Sequence, residues 1–198
     1  LEITAGRQTI SWATTLLLTP ADPFMPFDPI DPFREFRAGV DALRVRFSPR
    51  PLSELDVVVR PTKTAVGEEM TVLGRGLTTW RGWELSGWGG VLYGQPAGAL
   101  GFAGELFSIA VRGEVSFRNS GNELVLRRTI GVDRRFSLFE KDLYVVVEYQ
   151  HDPFGAFNAE QYEKVLSSKH FIRSELQTLG EDEMVAQGSY QLHPLANI

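Results

Sequence analysis

Apolar and polar residues alternate along most of the chain between Val40 and Tyr149. Leu43, Val45 and Phe47 interleave with Arg44 and Arg46, and Val111, Val115 and Phe117 interleave with Arg112, Glu114 and Ser116. Leu143, Val145, Val147 and Tyr149 interleave with Tyr144, Val146, Glu148 and Gln150. Side chains on a strand point to opposite faces in turn, so each segment has one apolar and one polar face. Strands are predicted over 1–11, 38–48, 53–61, 70–79, 83–93, 98–107, 108–118, 123–133, 142–150 and 183–192. Helical spacing is confined to Asn158–Ser168, where Tyr162, Val165 and Leu166 share a face and Asn158 stands at the cap position.

The fold class expected is all-β: an antiparallel meander of about ten long strands. Strands of this length with Arg and Glu on the polar face suit part of a transmembrane β-barrel with a wet interior. The connections support that reading. Numbered from 12–37 onward, the odd ones include the two longest loops, 12–37 and 151–182, whereas the even ones, such as 49–52, 80–82 and 107–108, are short. Consecutive connections of a meander lie at opposite ends, so one rim carries short turns and the other carries loops. Aromatic residues near the strand ends, Phe47, Trp80, Trp83, Tyr93, Phe117, Tyr149 and Tyr190, fit interfacial girdles. A soluble antiparallel sheet or barrel binding an apolar ligand shares the alternation and is the alternative.

Composition narrows the classes. A net charge of −5 speaks against nucleic acid as a partner. Only Lys63, Lys141, Lys164 and Lys169 are lysines among the 20 basic residues, and arginine is favoured where charges are paired or partly desolvated. With no cysteine there is no thiolate metal site, thiol nucleophile or disulfide. The uncharged run Leu85–Gly104 is long enough to cross a membrane as a helix, but its glycines and Pro96 favour two strands joined by the Gly94-Gln95-Pro96-Ala97 turn. Leu1 and Ile198 both fall in apparent strands, so a single barrel domain over 1–198, continued in a longer chain, is expected.

The candidate chemistry is electrostatic. The expected lumen face carries Arg44, Arg46, Arg60, Arg112, Arg127, Glu114 and Glu148. Charges paired across a lumen rigidify or plug it; arginines on one wall draw anions through it. Arg128 shares the lipid-facing register of Leu126 and Ile130 and is expected near an interface. The Asp-Pro-rich stretch 19–33 cannot be helix or central strand, and is expected to fold inward as a constriction through Asp22, Phe24, Asp28, Asp31 and Phe33. The spacing of Asp22, Asp28 and Asp31 lacks a calcium-loop pattern, so no metal is expected. His151, His170 and His193 are scattered over expected loops and no catalytic motif is present, so no enzyme activity is expected.

The stretch Gly6-Arg7-Gln8-Thr9-Ile10-Ser11-Trp12, the Asp-Pro loop and Arg37-Ala38-Gly39-Val40-Asp41-Ala42-Leu43-Arg44-Val45 resemble Gram-negative outer-membrane β-barrel proteins of the porin-like, alginate-export-like group. Gly131-Val132-Asp133, Lys141-Asp142-Leu143-Tyr144 and Glu148-Tyr149 are similar to a downstream hairpin of such barrels. The resemblance implies a bacterial outer-membrane location, contact with outer-membrane lipid and no cofactor, and it does not carry over a solute. Alternation, loop asymmetry and the resemblance together lead to the expected function, passive passage of small or anionic solutes. The resemblance leaves oligomeric assembly open. It also implies that Arg7 and Asp41 project into the lumen beside Arg44 and anchor the Asp-Pro loop by charge pairing.

Overall fold

A computed structural model describes residues 1–24, 39–120, 123–193 and 196–197. Asp28, Asp31 and Phe33 of the expected constriction lie outside these residues. The strands are β1 (Glu2–Gln8), β2 (Val40–Arg50), β3 (Ser53–Thr64), β4 (Gly67–Trp80), β5 (Trp83–Leu92), β6 (Gln95–Leu106), β7 (Ile109–Ser120), β8 (Glu123–Leu138), β9 (Lys141–His151), β10 (Asp182–His193) and a two-residue β11 (Ala196–Asn197). They lie in one sheet in chain order, each antiparallel to the next. The sheet is not closed into a barrel: β1 and β11 are its two edges. β5 has 10 residues and β8 has 16, so the central strands exceed the mean strand of globular proteins.

The rim formed by Pro51-Leu52, Arg81-Gly82, Phe107-Ser108 and Phe139-Glu140 consists of two-residue turns. Arg81, Phe107, Ser108, Phe139 and Glu140 all have φ between 52° and 61°. Positive φ at both central residues defines the turn whose twist matches a hairpin. Sequence placed the connection before β9 over 134–141; the structure pairs Arg134–Leu138 with Lys141–Val145 instead, and the turn shrinks to two residues. The opposite rim carries the long segments before β2 and between β9 and β10.

The two faces of the sheet differ in kind. One is open, with Leu100, Leu126, Ile130 and Val132 exposed. The other is covered by residues 10–24 and 152–181, and its core is Ile10, Trp12, Phe24, Val58, Leu73, Trp88 and Leu92. Adjacent residues show the inversion: Leu126 and Ile130 are 51% and 53% exposed, whereas Arg127 and Thr129 are each 4% exposed. Arg128 sits on the open face, in the register expected of it. Tyr93 is buried on the covered side and belongs to no outer girdle.

Glycines on the open face serve as seats for rings. A Cβ on Gly113 would lie 2.5 Å from the Phe102 ring, one on Gly98 2.5 Å from Phe117, and one on Gly104 2.3 Å from Trp83. Aromatic side chains thus lie flat over bare backbone on the neighbouring strand. Gly113→Val is expected to displace Phe102 and destabilise the full-length protein by about 1–3 kcal/mol. Gly74→Ala, at an open-face position with nothing within 4 Å, should be close to neutral in the same denaturation experiment.

The helical expectation holds in part. A 3₁₀ turn (Ala159–Gln161) leads into α1 (Tyr162–Leu166), inside the expected range. Asn158 has the extended backbone of a cap but its side chain makes no capping bond. A second short helix, α2 (Lys169–Ile172), is capped by Ser168, whose hydroxyl accepts from the Phe171 amide at 3.2 Å.

Candidate functional site

The candidate site is the covered face together with the two segments laid across it. Residues 11–24 form no regular ladder, so their backbone amides need other acceptors. Carboxylates from the strands supply them. Glu148 on β9 accepts from the amides of Leu16 (2.7 Å), Leu17 (2.8 Å) and Leu18 (2.7 Å). Glu114 on β7 accepts from Thr14 and from Thr15, the latter at 3.1 Å. The Gln177 side chain accepts from the Thr19 amide and donates to the Leu17 carbonyl. Trp88 Nε1 donates to the Ala21 carbonyl at 3.0 Å, and Trp12 Nε1 donates to Asp56 at 3.0 Å.

Asp22 shapes the segment from within. Its carboxylate accepts from Ser11 Oγ and from the amides of Trp12, Ala13 and Phe24 at 2.9–3.3 Å. Burial pushes this carboxyl above its ordinary pKa, and the same four donors pull it down. Phe24 packs edge-on against Trp12, with ring centroids 4.7 Å apart.

The segment between β9 and β10 is bound through a buried ionic network. Arg127 donates to both Asp152 oxygens, at 3.0 and 2.6 Å, and also to the carbonyls of Pro20 and Glu175. One guanidinium therefore ties both covering segments to β8. Arg118 on β7 pairs with Glu175 at 2.7 Å, and His170 Nδ1 lies 2.9 Å from the same carboxylate oxygen. Arg173 pairs with Glu69 on β4 and stacks over the Tyr93 ring. Phe154 stacks on His170 at 3.7 Å between centroids.

Burial pushes the Glu175 carboxyl up, but the His170 hydrogen bond and the Arg118 charge outweigh it and bring it down to about 2. Burial pushes His170 below its ordinary value, against the pull of Glu175. Arg118 is charged at any working pH and holds Glu175 ionised whichever state His170 takes. Both shifts have the same sign in linkage, because the unfolded chain binds protons more readily than the folded one. The stability contributed by this pair is full above about pH 6.5, the unfolded histidine value. It falls as His170 is driven to protonate, and falls further from about pH 4.5 to 2 as Glu175 does. Amide protection factors across 152–181, taken relative to the intrinsic exchange rate at each pH, should therefore fall on acidification through those two windows, ahead of the strands.

Most of the expected lumen-facing residues do lie on the covered face. They are largely committed to holding structure. Arg44 pairs with Asp56, Arg112 with Asp133 at 3.0 Å, and Arg46 lies 3.5 Å from Glu2 and 3.7 Å from Glu54. Arg127, Glu114 and Glu148 hold the covering segments as described. Arg60 also faces this side, in register with Asp56, Val58 and Thr62, and has no ion pair. Arg7 and Asp41 depart from the expectation. They pair with each other at 2.6 Å, 71% and 62% exposed, on the open face. Asp41 and Arg44 are three residues apart on one strand, and an odd separation puts them on opposite faces. Arg7 and Asp41 thus clamp β1 to β2 from outside.

Small cavities lie beneath the covering segments, and a larger one opens at the loop rim, where Arg7 and Asp41 of the open face meet Arg60 and Thr62 of the covered face. One, of about 20 Å³, lies among Asp22, Phe24, Arg60, Tyr93, Arg118 and Glu175 and has room for about a water molecule. The larger one, of about 780 Å³, lies between Gly39–Val40, Arg60–Lys63 and Glu68–Met70. His151, Glu181 and Asp182 cluster at the same rim, with His151 Nδ1 2.9 Å from Asp182 and Nε2 3.6 Å from Glu181. The two contacts use opposite edges of the imidazole, which is the arrangement of a histidine bridging two carboxylates.

Fold and site together define an all-β protein: one open antiparallel meander, with a polar face occupied by its own chain and an apolar face left bare. No family model, curated protein or solved structure matches the chain.

Proposed function

We propose that the chain forms part of the wall of a bacterial outer-membrane β-barrel of the porin-like kind, passing small anionic solutes, with residues 10–24 as its constriction. The observation that carries this reading is the inversion of faces. A sheet in water buries its apolar face. Here the apolar face is bare over many strands, while Arg118, Arg127, Glu114 and Glu148 are buried beneath the two covering segments. An exposed apolar surface of that extent calls for an apolar neighbour, and lipid supplies it over a broad, regular strand surface. Strand length, one-sided loops and rings seated over glycine support the same reading.

The covered face supports a conduit rather than a catalyst. Most of its charged groups are spent on ion pairs and backbone amides, and the larger cavity is lined by Arg60, Thr62, Lys63, Glu68 and Glu69 together with Val40, Pro61 and Met70. The test is conductance of the full-length protein in planar bilayers under a salt gradient. The reading expects discrete channels with a reversal potential favouring anions; the absence of any conductance by the purified, folded protein would sink it.

A further inference from the structure

We infer that Arg60 and Thr62 form a binding site for a carboxylate-bearing small solute at the loop rim, in the cavity of about 780 Å³. The role as a station on a solute path rests on the pore reading; the binding itself does not.

The charged side chains lining this cavity other than Arg60 have partners. Arg7 is paired with Asp41, Lys63 with Glu68 at 2.9 Å, and Glu69 with Arg173. Arg60 is the exception among the described residues. Its guanidinium makes no ion pair and no hydrogen bond, although it is half-buried and sits on the same face as the paired Arg44, Arg112 and Arg127. Two residues along β3, on that face, the Thr62 hydroxyl is buried and also without a partner. Alternation places their Cα atoms about 6.8 Å apart, with both side chains on one side.

The buried Thr62 hydroxyl is costly unless something meets it, and the Arg60 guanidinium beside it is open to the cavity and free to bind. A guanidinium offers a planar fork that matches a carboxylate in two parallel hydrogen bonds. A hydroxyl beside it donates to a second acceptor on the same molecule. The cavity volume falls in the range of small-molecule sites, roughly 300–1,000 Å³. The small cavity behind Arg60 is far below that range, so the solute would be held at the rim.

The experiment uses full-length protein in detergent, with succinate as the probe and its uncharged diamide as the control at matched ionic strength, read by titration calorimetry. Succinate should bind and the diamide should not. Arg60→Gln should weaken succinate binding by at least tenfold, and Thr62→Val by several-fold, the effect of one hydrogen bond. Arg60 makes no hydrogen bond or ion pair and acts on Asp41 and Tyr93 only through its charge, so Arg60→Gln is expected to keep a denaturation midpoint close to wild type, which separates lost binding from lost fold. Equal binding of succinate and diamide, no binding by the wild type, or unchanged binding in Arg60→Gln overturns the site. Binding without conductance would retain the site and remove the pore; conductance without binding would do the reverse.

Discussion

Replacing Arg127 by methionine is expected to cost the full-length protein about 3–5 kcal/mol and to loosen both covering segments together. The substitution leaves Asp152 buried without its partner, and frees the carbonyls of Pro20 and Glu175. Removing one member of a buried pair costs more than replacing both, because the orphaned charge pays its full desolvation. Arg127→Met combined with Asp152→Asn should therefore be more stable than Arg127→Met alone. Denaturation midpoints of the four forms would measure the coupling; strict additivity would show that the pair is not the clamp proposed.

Glu148→Gln is the second large effect. Both oxygens of Glu148 accept from amides, one from Leu16 and the other from Leu17 and Leu18. Glutamine keeps one acceptor and turns an NH₂ toward amides that also donate. The loss is about 2–4 kcal/mol, from charge-assisted bonds replaced by a donor facing donors. Exchange protection should fall at Leu16–Leu18 and persist at Thr14 and Thr15, which Glu114 holds. A uniform loss along the sheet would mean that Glu148 supports the strands rather than the inner segment.

How far these features could be read from sequence depends on the range of the interaction. Period-two alternation is local, so the strands and the polar character of the Arg44, Arg112 and Glu148 face were legible. Turn positions were less so: Phe139-Glu140 lacks the Asn-Gly signature of its turn type and takes positive φ because the flanking ladders fix where the chain reverses. The attachment of the inner segment joins residues from 44 apart, between Trp12 and Asp56, to 130 apart, between Leu18 and Glu148, and beyond, and no spacing rule reaches it. One trace was present. Glu114 stands opposite Gly101 and Thr129, and Glu148 opposite Gly131 and Val185, so neither has a cationic cross-strand neighbour. An inward carboxylate without a partner on the sheet must find donors elsewhere, and here it finds backbone amides. Arg7 and Asp41 were misplaced by inference from resemblance where strand parity alone decided the face.

A membrane wall requires that lipid meet the open face. The chain contains no cysteine, so single cysteines can be introduced and spin-labelled without a background signal. The decisive measurement is collision accessibility of labels at Leu126→Cys, Ile130→Cys and Val132→Cys against Thr129→Cys, with the full-length protein in bilayers. The three open-face labels should collide with membrane-dissolved oxygen and be shielded from a water-soluble nickel complex, and the label at position 129 should be shielded from both. Ready access of the nickel complex to positions 126, 130 and 132 would contradict the membrane-wall reading.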